Sequence, residues 1–248
     1  MLIYAAVCPH PPLLVPELAG AAAPELDRLR AACDRAVRGA VAAVEAGRSG
    51  ALIVVGGGPV TRAHGPEAAG TLRPYGLEHT FGPGDPGGPD ALPLSLTIGR
   101  WLLEEAAAPD AGALFQSVAE DTAPAECLRL GRELAGSAER VAFLVMGDGS
   151  ACLSEKAPGY LDPRAEPYDA AVARALGSAD TAALAGLDPR ASRELLAAGR
   201  PAWQVLAGAA GETGAAGETG AAPFDAELLD HRAPYGVGYF VATWNRRA

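Results

Sequence analysis

The 248 residues carry a formal net charge of −10 and an isoelectric point near 4.9. Nucleic acid and anionic membrane both demand a basic face, so this balance excludes them as expected partners. Apolar residues make up 49% of the chain, enough for a substantial core in one large α/β domain or two small ones.

The first residues, Met1 to Val7, are apolar without a basic flank, and Cys8-Pro9-His10-Pro11-Pro12 follows at once. A signal peptide needs a longer apolar region behind positive charge. No segment reaches the roughly 18 apolar residues of a spanning helix, so the expected location is cytoplasmic. Leu2 to Val7 is short and rich in residues that favour extended backbone, which predicts a buried strand. The prolines after it forbid both helix and ladder. From Pro24 to Ala46 the spacing of Leu26, Leu29, Cys33, Val37, Val41 and Val44 gives one apolar helical stripe. Pro24 suits its first turn, and Gly47 its stop.

Ala51 to Val55 predicts a second buried strand, closed by Gly56-Gly57-Gly58-Pro59. Residues 61 to 92 are loop-rich, and the glycines and prolines between Phe81 and Pro89 exclude regular structure there. A helix from Pro93 to about Ala107, a strand near Ala113 to Val118, a helix near Pro124 to Ala135 and a strand from Val141 to Met146 follow. Residues 165 to 210 read as a helical insertion, with short helices centred on Tyr168–Leu176, Ala191–Ala198 and Ala202–Ala209. The twice-written Gly-Glu-Thr-Gly-Ala-Ala at 211–222 reads as a flexible surface loop, and Tyr235 to Trp244 supplies a last strand. The alternation predicts a single α/β domain over 1–248, with a mostly parallel central sheet flanked by helices on both faces.

The run Gly147-Asp148-Gly149-Ser150 follows a wholly apolar strand, and open α/β sheets build ligand sites at the carboxyl ends of their strands. Its continuation through Glu155 holds Lys156, the only lysine in the chain. Asp148, Ser150 and Lys156 are therefore catalytic candidates. A cap or turn role for Ser150 is the structural alternative, and Glu155-Lys156 reads either as a pocket ion pair or as a surface pair. Gly56-Gly57-Gly58 offers a backbone nest for an anion or a tight turn; it matches neither a Walker loop nor the dinucleotide fingerprint. His10, between prolines, reads as a ligand, a substrate hydrogen-bonding group or a satisfied polar residue. His79 reads as a surface residue, and His231, between Asp230 and Arg232, as a pocket-orienting or a surface group. Cys8 and Cys33 fall on apolar faces as core thiols, Cys152, in the polar loop, reads as an inert thiol with a reactive one as the alternative, and the absence of any Cys-x-x-Cys spacing argues against zinc ribbons and thioredoxin-type sites. Tyr235-Gly236-Val237-Gly238-Tyr239 reads as strand packing with close backbone approach at the glycines.

The order of Cys8-Pro9-His10-Pro11-Pro12, Gly147-Asp148-Gly149-Ser150, Ala157-Pro158-Gly159-Tyr160-Leu161-Asp162-Pro163-Arg164 and Ala233-Pro234-Tyr235-Gly236-Val237-Gly238-Tyr239 resembles the class III extradiol ring-cleavage dioxygenase family, in its subunit-B-like (LigB-like) branch. The resemblance implies a non-haem Fe(II) enzyme that cleaves catecholic rings, with two histidines and a glutamate leaving metal positions open for substrate and O2. His10 matches the first iron ligand. Gly57 stands where the second histidine belongs, and Ala151 where the acid–base histidine belongs. The carboxylate ligand is expected near Asp230-His231-Arg232, so the implied metal set is His10 and His231, with His64 as a possible substitute. One imidazole cannot hold Fe(II) tightly, glycine offers no ligating atom, and alanine cannot move a proton.

The resulting expectation is a LigB-like protein with a degenerate iron centre, in which His10, Gly57 and Glu155 touch a small aromatic or anionic molecule. A non-catalytic ligand-binding or regulatory protein on the same fold is the first alternative. A metal-independent hydrolase or transferase using Asp148, Ser150 and Lys156 is the second. A homo-oligomer or a partner subunit is compatible with either.

Overall fold

The apolar runs pair with one another at the centre of a seven-stranded sheet. A computed structural model describes residues 1–45, 50–65, 67–108, 112–211 and 223–247. In chain order the strands are β1 (Leu2–Cys8), β2 (Gly50–Gly58), β3 (Arg62–His64), β4 (Gly70–Thr71), β5 (Thr80–Phe81), β6 (Leu114–Ala119), β7 (Arg140–Met146), β8 (Phe224–Arg232) and β9 (Tyr239–Arg246). The helices are α1 (Pro16–Ala19), α2 (Asp27–Glu45), α3 (Leu94–Glu105), α4 (Pro124–Ala135), α5 (Ala165–Ser178), α6 (Thr181–Ala185), α7 (Pro189–Glu194) and α8 (Arg200–Ala210). The sheet runs β3-β6-β2-β7-β1-β9-β8, and its four central strands β6, β2, β7 and β1 are parallel, as expected. The outer strands β3, β9 and β8 pair antiparallel, and β4 and β5 form a separate small ribbon.

Side chains alternate across this sheet with the period of two that strands impose. Ala6, Cys8, Leu52, Val54, Ala142, Leu144 and Met146 pack under α2 and α3, whereas Ala5, Val7, Ile53, Val55, Phe143 and Val145 pack under α4, α5 and α8. The stripe read from the sequence in α2 is buried as a unit, from Leu29 and Cys33 to Val41 and Val44. At roughly 1.5–3 kcal/mol per fully buried aliphatic side chain, such stripes are what hold the two helical layers to the sheet.

Several boundaries differ from the sequence reading, each for a local reason. The helix expected from Pro24 begins at Asp27, because Gly20–Leu26 winds as a 3-10 segment with Pro24 inside it; its expected stop at Gly47 lies outside the described residues. β2 does not close at Gly56 but runs on through Gly58, pairing with Ser117, Val118 and Ala119 of β6. The glycine run is therefore neither nest nor turn. A methyl at Gly56 would lie 2.5 Å from Ser95 Oγ and one at Gly58 2.8 Å from Ser117 Cβ, so these glycines admit close packing rather than chain reversal. The helix expected over Ala191–Ala198 stops at Glu194, and Leu196 takes a left-handed φ of 53°. The last strand begins at Tyr239, after a turn in which Gly236 has φ 75°. The strand β8 has no counterpart in the sequence reading. The expected flexible loop at 211–222 lies, from residue 212 on, outside the described residues. No helix among the described residues is long and apolar enough to cross a membrane.

Candidate functional site

A cavity of about 370 Å³ opens at the carboxyl edge of the parallel strands. His10, just past β1, and Gly57 and Gly58, at the end of β2, form its floor. Pro93, Leu94 and Ser95 at the start of α3 form one wall. The segment Leu196–Ala198 and Pro201, leading into α8, forms the opposite wall, with Glu120 at the rim. Crevices at this edge are where open α/β sheets bind ligands. Gly57 faces the α8 side, and a methyl built there would meet only Ala198 O, at 3.6 Å. Its carbonyl accepts a 2.5 Å hydrogen bond from Ser95 Oγ.

His10 is anchored through its backbone, whose N–H donates to Asp148 Oδ1 at 2.8 Å. Its imidazole Nδ1 lies 3.7 Å from the same oxygen and is buried without a hydrogen-bond partner. Burial pushes the Asp148 carboxyl above its ordinary pKa, opposed by the neighbouring His10. The Asp148 carbonyl in turn accepts from Gly199 N–H at 2.8 Å, tying the strand end to the start of α8. Gly147 makes this possible, since a methyl there would lie 2.7 Å from Gly199 Cα and 2.8 Å from Trp203 Nε1.

Ser150 is not brought to the cavity. It is fully buried, its hydroxyl donates to Leu195 O at 3.0 Å and accepts from Cys152 N–H at 3.1 Å, and its own N–H donates to Asp169 Oδ1 at 2.9 Å. Of the two readings of Ser150, catalytic candidate and cap or turn residue, the turn role matches these bonds. Glu155 and Lys156 are exposed, line no part of the cavity and make no ion pair with each other, which corrects their reading as a pocket pair. Cys152 is buried with Sγ 3.4 Å from Leu195 O. Ala151 is buried, its N–H donating to the same carbonyl.

The other histidines lie elsewhere. His231 is on β8, exposed at one edge and stacked on Phe240 with ring centroids 4.7 Å apart; partial burial lowers its pKa. Asp230 beside it is held by Arg232 at 2.8 Å and Arg28 at 3.8 Å. His79 is exposed against Phe81. His64 does not reach toward Gly57. It is buried on β3, where Nε2 is 3.0 Å from Ser117 Oγ and Nδ1 is 3.5 Å from Asp90 Oδ1. These are the residue types of a hydrolase triad, but the polarity is reversed. Ser117 Oγ donates to Val60 O at 2.8 Å, so His64 Nε2 is the donor to Ser117 and cannot take its proton. Nδ1 then faces the Arg62 guanidinium at 3.4 Å, and burial, with that cation, lowers the His64 pKa.

Sequence reasoning missed Asp169, Ser95 and the Leu196–Ala198 wall. Asp169 had a visible signal: it shares the helical stripe of Val172, Ala173 and Leu176 on α5, an odd place for a carboxylate. It is 1% exposed, Oδ2 has no partner, and burial raises its pKa to about 7. Nothing local marks Leu196–Ala198 as a wall.

The donors do not fit the Fe(II) set that the resemblance implies. Beside His10 stand Gly57, with no ligating atom, and Asp148, whose Oδ1 already accepts the His10 N–H. Among the described residues no three His, Cys, Asp or Glu side chains, His10, His64 and His231 included, form a group able to hold a metal ion. Neither a protein-family model nor a curated protein matches the chain. Its fold is similar to that of a solved structure, the uncharacterized protein JW3007 from Escherichia coli K12, with a TM-score of 0.56 and 14% identity over 98% of this chain and 99% of that one. At that identity the likeness bears on the fold alone.

Proposed function

We propose that this chain is a small-ligand-binding protein on a LigB-like α/β scaffold, taking a small aromatic or anionic molecule in the cavity beside His10 without Fe(II)-dependent ring cleavage. The observation that carries the reading is Gly57. At the position where the resemblance expects an iron ligand it contributes open space, bounded by Ala198 O, instead of an imidazole. Pro93, Leu94, Leu196 and Pro201 supply apolar walls that strip water from a bound molecule, and His10 supplies a ring nitrogen to orient it. The hydrolase or transferase alternative is disfavoured by Ser150, whose hydroxyl is committed to Leu195 O away from the cavity.

The test fills the space. Gly57→Ala brings only an ordinary contact and should leave fold and binding intact. Gly57→Phe should keep the fold and abolish binding of small aromatic molecules followed by calorimetry. Anaerobic loading with ferrous salt should leave less than stoichiometric iron on the wild type. One tightly held iron per chain, with O2 uptake on a catechol, would overturn the proposal and restore the dioxygenase reading.

A further inference from the structure

The cavity lies where two long helices begin. α3 starts at Pro93, whose extended backbone (φ −65°, ψ 165°) and ring offer no side-chain cap. The hydroxyls nearby do not cap it: Ser95 Oγ is turned to Gly57 O, and Thr97 Oγ1 donates to Pro93 O at 3.1 Å. Leu94, Ser95 and Leu96 therefore hold first-turn N–H groups that donate to no acceptor among the described residues. α8 starts at Gly199, which has no side chain, and its Arg200 and Ala202 N–H groups are likewise unmatched. Each such terminus carries the equivalent of roughly half a positive charge.

A separate observation points to the same space. His10 lines the cavity, its side chain is 10% exposed, and Nδ1 has no hydrogen-bond partner. That Nδ1 edge faces Asp148 Oδ1 at 3.7 Å, and Nε2 too has no hydrogen-bond partner among the described residues, so Nε2 is the ring nitrogen left to meet a ligand. No Lys or Arg side chain lines the cavity, and Glu120 stands at its rim with Oε1 4.0 Å from Arg193. A dianionic phosphate would find no lining cation to offset its second charge and would meet the Glu120 carboxylate, whereas a monoanion is matched by amides and an imidazole.

Building on the ligand-binding reading above, we propose that the cavity recognises a small carboxylic acid. Its carboxylate is seated on the Leu94 and Ser95 amides beside His10, and its apolar body lies against Leu196, Ala197 and Pro201.

Matched acids and amides test this on the full chain: phenylacetate against phenylacetamide, with phenyl phosphate as the dianionic probe, followed by calorimetry and by amide chemical shifts. The acid should bind at least about tenfold more tightly than the amide and should shift the Leu94 and Ser95 amide signals. Leu94→Pro deletes one donor at a helix position that proline suits, and should weaken the acid about tenfold while leaving the amide unaffected. Leu94→Ala, which keeps the N–H, separates that loss from lost packing. If Leu94→Pro does not fold, His10→Asn is the second variant and should weaken the acid selectively. Equal binding of acid and amide overturns the carboxylate assignment and leaves the ligand cavity standing. Tighter binding of phenyl phosphate, or failure of every probe to move the Leu94 and Ser95 signals, also overturns it. The iron and Gly57→Phe measurements judge the ligand cavity separately.

Discussion

Asp169 is a carboxylate held away from water, with one oxygen accepting Ser150 N–H and the other unpaired against Gly238 and Gly149. Burial raises its pKa to about 7, above the roughly 3.9 of an unfolded chain. An acid shifted this way destabilises the fold wherever it must ionise. The cost is absent below about pH 4, grows as pH rises toward 7, and is then constant at a magnitude on the order of 4 kcal/mol. Asp169→Asn keeps the acceptor for Ser150 and removes the charge. It should gain roughly 1–3 kcal/mol at pH 8 and flatten the decline between pH 4 and 7, as read by urea denaturation. Ser150→Ala should lose about 1–3 kcal/mol in the same measurement, because the Cys152 N–H would be left buried without its acceptor, while Leu195 O would keep the Ala151 N–H. The sequence placed Ser150 in the right loop and left its role open, since the carbonyl that captures its hydroxyl lies 45 positions away. Lys156 misled for the opposite reason: its rarity reflects composition, and its side chain sits in solvent.

At the scale of elements, β8 escaped sequence reading because it is an edge strand. Asp225, Glu227 and Asp230 interrupt its apolar pattern, and its register on β9 slips between Leu228 and Asp230. Charged side chains and a bulge are devices that protect an exposed edge from pairing with another chain, and both erase the period-two signal. The central strands have no such edge, which is why their continuous apolar runs were legible. The pairing of α4 with α8 depends on glycines that no local pattern announces. A methyl at Gly131 would collide with the backbone of Val205, and one at Gly208 with that of Leu128. Gly208→Ala should therefore lower stability by about 1–3 kcal/mol despite the better helix propensity of alanine, a sign that thermal unfolding can check.

At the scale of the molecule, the fold could be read because it follows from the alternation of apolar runs, and each run carries its own signal. The cavity could be read only in part. His10 and Gly57 were singled out, but the walls come from three distant segments (93–95, 120 and 196–201) that topology alone brings together. The separation of the core into a layer under α2 and α3 and a layer under α4, α5 and α8 has a mechanical corollary. One wall of the cavity is rooted in the first layer, through α3, and the facing wall in the second, through α8. A guest wedged between them would work as a rivet across the seam. Its binding energy would then be felt on both sides of the sheet at once.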